Sequence, residues 1–235
     1  MINSLIKMLL GEANVGRLNY YLKPELKNSL GGPFNGQSYR QRIFQELLKT
    51  VTFDTIVETG AYLGTTTEYF STTGLPIYTV EINPRFWGYT SARTRSKRRQ
   101  IRLFLDNSPD FLRGLANNPA FLPAKPFFYL DAHWYNHLPL AEELEIIFQK
   151  WCEAVVMVDD FQVPGTDYTY DDYGPGKALT LDYLKPLHHL DLAIFFPSAG
   201  AELETGRKRG SVTLCRNKEL IKTLQGISVL KRWSD

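Results

Sequence analysis

From Asp54 onward the chain alternates short apolar runs of β type with longer stretches that begin on helix-start residues. Five of the runs end in an acid: Ile56-Val57 before Glu58, Pro76–Val80 before Glu81, Ile101–Leu105 before Asp106, Pro126–Leu130 before Asp131, and Ala154–Val158 before Asp159-Asp160. Helices are predicted near Thr65, from Asn83-Pro84, from Ser108-Pro109-Asp110 to Leu115, and over Pro139–Phe148, which has proline at its start and acids in its first turns. Such alternation predicts an α/β fold with a parallel sheet covered on both faces, the fifth run being apolar throughout, as a central strand should be. The stretch Gln162–Gly176 has no such pattern. Its tyrosines (Tyr168, Tyr170, Tyr173) argue for an ordered lid rather than disorder. A helix over Lys177–Leu187 and strands over Leu190–Phe196 and Ser211–Cys215 complete the pattern. The last two strands are joined through Glu204–Gly210, too closely for a helical crossover, so they should pair antiparallel.

The densest signal is Glu58-Thr-Gly-Ala-Tyr-Leu-Gly64 followed by Thr65-Thr66-Thr67, a strand, a glycine turn and a helix start. This layout brings backbone close to a nucleotide-like ligand. Tyr62 replaces the middle glycine of a GxGxxG turn. A dinucleotide places its pyrophosphate at the helix N-terminus, where the carboxylate of Glu58 would repel it. S-adenosylmethionine (SAM) carries no phosphate and tolerates that acid. Glu81 at the end of the next strand suits ribose hydroxyls, and Asp106-Asn107-Ser108 suit an adenine edge. Each acid alone has a second, weaker reading as a solvated strand end or a cap; three on consecutive strands point to one ligand.

The fourth and fifth strands end in Asp131-Ala-His133-Trp134 and Asp159-Asp160. Three carboxylates in one place repel one another unless a cation joins them, and hard oxygen donors suit Mg²⁺. His133 lies on the same side of the strand as Asp131 and is placed to accept a proton from a substrate hydroxyl. Trp134, Tyr135, Tyr170 and Tyr173 suit stacking on a sugar or a flat ring. Asn35, Gln37 and Arg40, in the glycine-rich Gly31–Arg40, either close over cofactor or substrate or form a plain loop before a helix. His188-His189 reads as a helix end rather than a ligand pair.

Composition changes the picture little. A net charge of +2 over 235 residues implies neither nucleic acid nor an acidic membrane as partner. The basic run Arg93, Arg95, Lys97, Arg98, Arg99 and Arg102 reads as a solvated helix end, and Cys152 and Cys215 as buried free thiols. The apolar part of Met1–Leu10 is too short to span a bilayer and lacks a leader's flanks, so a cytoplasmic protein is expected.

On Glu58-Thr-Gly60-Ala-Tyr-Leu-Gly64, Glu81, Asp106 and Tyr129-Leu-Asp-Ala-His-Trp134 the chain resembles class I SAM-dependent methyltransferases. Within them it is most similar to the metal-dependent sugar O-methyltransferases of the macrocin O-methyltransferase type. The resemblance spans roughly Phe53–Cys215. It implies a Rossmann-like, seven-stranded sheet of order 3-2-1-4-5-7-6 with strand seven antiparallel. It further implies SAM at Glu58, Gly60, Tyr62, Gly64, Thr65, Thr66, Glu81, Asp106, Asn107, Ser108 and Asp131, and Mg²⁺ on Asp131, Asp159 and Asp160. His133 then stands as the base beside Asp131, with Trp134, Tyr135, Tyr170, Tyr173 and Arg40 toward a small-molecule acceptor, a sugar or natural product. The division that follows is an N-terminal extension (1–50), a methyltransferase domain (51–216) and a C-terminal tail (217–235) that packs on its own domain or on a second subunit. Two other readings compete: an NAD(P)-dependent oxidoreductase, disfavoured by Glu58 and by the lack of a Tyr-x-x-x-Lys pair, and a binding protein that kept the fold without chemistry.

Overall fold

The computed structural model describes residues 2–122, 124–133 and 138–234, with the side chains of residues 2–9 left aside. The chain opens with helix α1 (Ile2–Leu22), broken at Gly11, where φ is 72°. Two short 3-10 segments, Pro24–Gly31 and Pro33–Gly36, lead into α2 (Ser38–Thr50). Alternation then begins: β1 (Thr55–Thr59), α3 (Thr65–Phe70), β2 (Ile77–Glu81), α4 (Pro84–Arg93), β3 (Ile101–Leu105) and α5 (Ser108–Ala116). It continues through β4 (Pro126–Leu130), α6 (Leu140–Lys150) and β5 (Val155–Val158). After a long loop come the single turn α7 (Leu181–Leu184), β6 (Ala193–Pro197), β7 (Val212–Cys215), α8 (Lys218–Gln225) and β8 (Leu230–Arg232).

All eight strands form one sheet of order β3-β2-β1-β4-β5-β7-β6-β8. The first five are mutually parallel, whereas β7 runs antiparallel to both β5 and β6. The seven-strand order and the antiparallel β7 agree with expectation. The eighth strand was not expected: the tail returns to pair β8 with β6, Phe195 opposite Arg232, and Trp233 N donates to Ile194 O at 2.8 Å. Residues 217–234 therefore pack on their own sheet.

Strand alternation divides the core. Val57, Phe128 and Val156 face α5 and α6, while Ile56, Phe127 and Val155 face α2, α3 and α8. Burial on both faces is why these runs read as continuously apolar. In α2, Tyr39, Arg40, Ile43, Phe44 and Leu47 form the inward stripe, so Arg40 enters the interior with the apolar residues. The helix expected over Lys177–Leu187 is shorter, α7 followed by a 3-10 segment Lys185–Leu190, because Pro186 removes a backbone donor. Cys215 is buried as expected, but Cys152 is exposed in the turn after α6. Among the described residues no helix is long and apolar enough to cross a membrane.

Candidate functional site

The carboxyl ends of β1 to β5 lie along one edge, and the turn after β1 shapes its centre. Gly60 and Gly64 take positive φ, 87° and 71°. A side chain on Gly60 would put its Cβ 2.3 Å from the carbonyl oxygen of Asp131, so the turn presses directly against the end of β4. Tyr62 also adopts the left-handed conformation, φ 47°. Its N–H donates to Glu81 Oε2 at 2.7 Å, and Asn83 N donates to Oε1 at 2.7 Å, so Glu81 fastens the turn to the end of β2 and keeps one further lone pair on each oxygen. Glu58 lies deeper: it is buried and accepts from the hydroxyls of Thr67 and Thr79. Burial pushes its carboxyl up to about 7 against those two hydrogen bonds. It holds the start of α3 against β2. Thr66 Oγ1 accepts from Phe34 N at 3.0 Å, and Thr65 Oγ1 accepts from Arg93.

Arg93 departs from the solvated face expected of the basic run. It bridges Glu68, Thr65, Leu63 O and Lys27 O, tying α4 to the turn and to the N-terminal segment. Just after β3, Asp106 is exposed and, among the described residues, accepts only from its neighbour Asn107. Asn107 caps α5 through Asp110 N at 2.9 Å, and Ser108 is buried at the helix start.

Beside this edge the acids gather. Ligand atoms of Asp131, His133 and Asp160 all lie within 4.8 Å of one another. Asp159 does not join them. It is fully buried, paired with Arg40, and accepts from Tyr129 Oη at 2.6 Å and from Asn35 Nδ2 at 3.0 Å. Arg40 was expected at a substrate, but it is 1 % exposed and also donates to the carbonyls of Arg209 (2.8 Å) and Gly210 (2.9 Å). Its position on the inward stripe of α2 commits it to the interior. Asn35 reaches Asp131 as well, at 3.4 Å, from a loop in which Phe34 and Asn35 both take left-handed φ (52° and 56°). Each such residue costs about 1–2 kcal/mol, and Phe34 is held there by packing against Phe44, Phe70 and Tyr129.

Two partners in this network had not been singled out. Arg209 Nη1 pairs with Asp160 Oδ2 at 2.7 Å and with Asp171, and Asp171 accepts in turn from Tyr173 Oη. Their signal was opposite charge in two separate loops, Tyr170-Asp-Asp172 and Arg207-Lys-Arg209. Tyr173 Oη also lies 3.4 Å from the carbonyl oxygen of His133, and Tyr170 is half-buried nearby in sequence. Tyr168 is core rather than lid, at 4 % exposure. Trp134 and Tyr135 lie outside the described residues. Gln37 accepts from Arg209 N at 2.6 Å. His188 and His189 face backbone carbonyls of their own turn.

Burial governs the charge states. It lowers His133 to about 4, with Arg209 and Arg40 adding to the effect and Asp160 opposing it. Asp131 is held well above the usual carboxylate range by desolvation and by the charge of Asp160, against Arg40 and Asn35. The ring of His133 is therefore neutral near pH 7, and its Nε2 has no hydrogen-bond partner among the described residues.

The strand order and the antiparallel β7 are those of a known fold. An O-methyltransferase from Bacillus cereus, solved in complex with SAH, superposes with a TM-score of 0.53 at 16% identity, over 74% of this chain and 80% of that one. The fold is the Rossmann-like methyltransferase fold. The Escherichia coli protein yhhF, a methyltransferase by assignment, superposes on it with a TM-score of 0.50 at 13% identity, over 77% and 86% of the two chains. No protein-family profile matches the chain, and no curated protein does. To the seven-strand order of that fold this chain adds β8 at the sheet edge.

Proposed function

We propose that the chain transfers the methyl group of SAM to a hydroxyl oxygen of a small molecule, a sugar or natural product, with a divalent cation assisting. The observation that carries this reading is the contact between two halves of one site. The Gly60 turn, where a cofactor would lie, touches the end of β4, from which Asp131 and His133 meet Asp160.

The residues fit both groups. For SAM they offer the spare lone pairs of Glu81 toward ribose hydroxyls, the exposed Asp106 toward an adenine edge, and the negative Asp131–Asp160 region near a sulfonium cation. For a cation they offer the unpartnered His133 Nε2 and Asp160 Oδ1. When bound, SAM supplies an electrophilic methyl carbon and the cation lowers the pKa of a hydroxyl it touches. A substrate hydroxyl oriented at this edge would take that methyl group, leaving SAH, and would release its proton to solvent. The chain's part is to hold both reactants in one geometry through the Gly60 turn, Glu81 and the acids after β4 and β5. Tyr173, linked to His133 and Asp171, fixes the loop that borders the acceptor side.

Titration calorimetry with SAM and with SAH, in buffers with a divalent cation or with EDTA, tests the cofactor. Micromolar binding is expected. Absence of binding in both buffers, with NADH raising the melting temperature instead, would put the oxidoreductase reading in its place.

A further inference from the structure

We propose that the cation site is a mixed nitrogen–oxygen site made by Asp131, His133 and Asp160, and that it selects a first-row transition dication such as Co²⁺ or Zn²⁺ over Mg²⁺. The proposal rests on the methyl-transfer reading for the use of the cation, but on geometry alone for the ligands.

Metal–donor bonds of about 2.0–2.2 Å place adjacent donors ~3 Å apart and opposite donors ~4.3 Å apart. One ligand atom from each of Asp131, His133 and Asp160 lies within 4.8 Å of the others, so small side-chain rotations bring all three to one ion. Two of the three carry a buried atom without a hydrogen bond: His133 Nε2, and Asp160 Oδ1, which lies 3.9 Å from Arg40 Nη2 while the other oxygen of Asp160 pairs with Arg209. A buried lone pair without a donor is costly, by about 1–3 kcal/mol. Two such atoms beside a third acid make a donor set that suits a cation.

Asp159 is excluded from the ligand set by its surroundings. Arg40, Tyr129 and Asn35 all point at its carboxylate. An ion that took Asp159 as a ligand would compete with Arg40, whose buried guanidinium would then lose its counter-charge. Charge gives the same answer. The linked network holds the acids Asp131, Asp159, Asp160 and Asp171 against the guanidinium groups of Arg40 and Arg209. With the acids ionised it leaves two negative charges, which one dication cancels. An all-oxygen site would favour Mg²⁺; an imidazole donor shifts preference to first-row transition ions, with affinity rising from Mn²⁺ through Co²⁺ to Cu²⁺ and falling at Zn²⁺. A ring nitrogen bound to an ion cannot also take the substrate's proton, so this assignment replaces the proton-acceptor role expected of His133.

The test is direct titration of chelator-treated full-length protein with Mg²⁺, Mn²⁺, Co²⁺ and Zn²⁺, together with the visible absorption spectrum of the Co²⁺ complex. One equivalent of Co²⁺ or Zn²⁺ should bind at least about tenfold more tightly than Mg²⁺. His133→Ala should lose that preference and change the Co²⁺ spectrum. His133→Asp, which restores a donor and covers the case in which alanine unfolds the protein, should bind Mg²⁺ and Co²⁺ more evenly. Asp159→Asn should keep the Co²⁺-over-Mg²⁺ ratio even where absolute affinity changes. Equal Mg²⁺ and Co²⁺ affinities in the wild type, an unchanged spectrum in His133→Ala, or no stoichiometric binding would each overturn the proposal. SAH titration of the same samples separates the failures: SAH bound without metal overturns this site alone, and metal bound without SAH overturns the methyl-transfer reading alone.

Discussion

Arg40 and Asp159 show how a single pair of side chains can set the chemistry around it. Arg40 is 1 % exposed and Asp159 fully buried, so each depends on the other for its charge. Removing one partner of such a pair leaves an uncompensated buried charge and costs about 3–5 kcal/mol, well above the roughly 0–1 kcal/mol of a surface pair. Arg40→Ala should therefore lower unfolding free energy in urea by about 3–5 kcal/mol, whereas Lys49→Ala, at an exposed pair with Glu46, should change it by less than about 1 kcal/mol. Similar midpoints for the two variants would refute the buried pair. Sequence showed Asn35, Gln37 and Arg40 as polar residues in a glycine-rich turn, and Asp159 as a strand-end acid. It could not show that they meet, because their contact depends on the first turn of α2 lying beside the acids that follow β5. Asp131 and His133 were more legible, since strand alternation alone keeps them on one side.

At the scale of elements, the junction of α1 with α4 is the feature least visible in the sequence. A Cβ on Gly16 would lie 1.9 Å from Arg85 O, and one on Gly88 would lie 1.9 Å from Ala13 O, so the two helices cross backbone to backbone. Tyr20 against Tyr89 (5.4 Å, edge-on) and Arg17 over Trp87 (5.0 Å) complete the contact. Gly88→Ala sets two effects against each other. Alanine favours a helix over glycine by about 1 kcal/mol, but overpacking against backbone that cannot rotate away costs about 1–3 kcal/mol. Sterics should win: the variant should melt lower and be cut by trypsin within α1 sooner than the wild type. Unchanged cleavage would mean that α1 does not depend on this crossing. Nothing in an alternation pattern marks such a glycine, because the need for it arises only when a second helix approaches. The strand β8 escaped for a related reason: Leu230-Lys-Arg232 is short, with two of its residues exposed at an edge, so it lacks the buried run that made β1, β4 and β5 readable. The single turn α7 lies after the loop Gln162–Gly176, where local composition favours no regular element.

Across the whole molecule, burial of carboxyls near the sheet edge makes stability depend on pH in an uncommon direction. Glu143 on α6 is 1 % exposed, beneath Thr59 and Ser108, and desolvation pushes its carboxyl up to about 7 against those hydroxyls; Glu58 is raised to about 7 as well. Carboxyls raised in the folded state bind protons that the unfolded chain has released. Their stabilisation is full below the unfolded value of 4.5 and is lost as pH rises through about 7. His133, lowered from 6.5 to about 4, works in the opposite direction between those values, because there the unfolded chain holds the extra proton. Two carboxyls outweigh one imidazole, so urea unfolding should show stability falling from pH 5 to pH 8 rather than rising. Glu143→Gln isolates one contribution without touching the acids after β4 and β5. A shift from 4.5 to about 7 corresponds to about 3 kcal/mol. The Gln variant should therefore lose roughly that much less than the wild type between pH 5 and pH 8. Parallel pH profiles for the two proteins would mean that Glu143 keeps its charge in the folded state, with a cation or water beneath Ser108 to hold it.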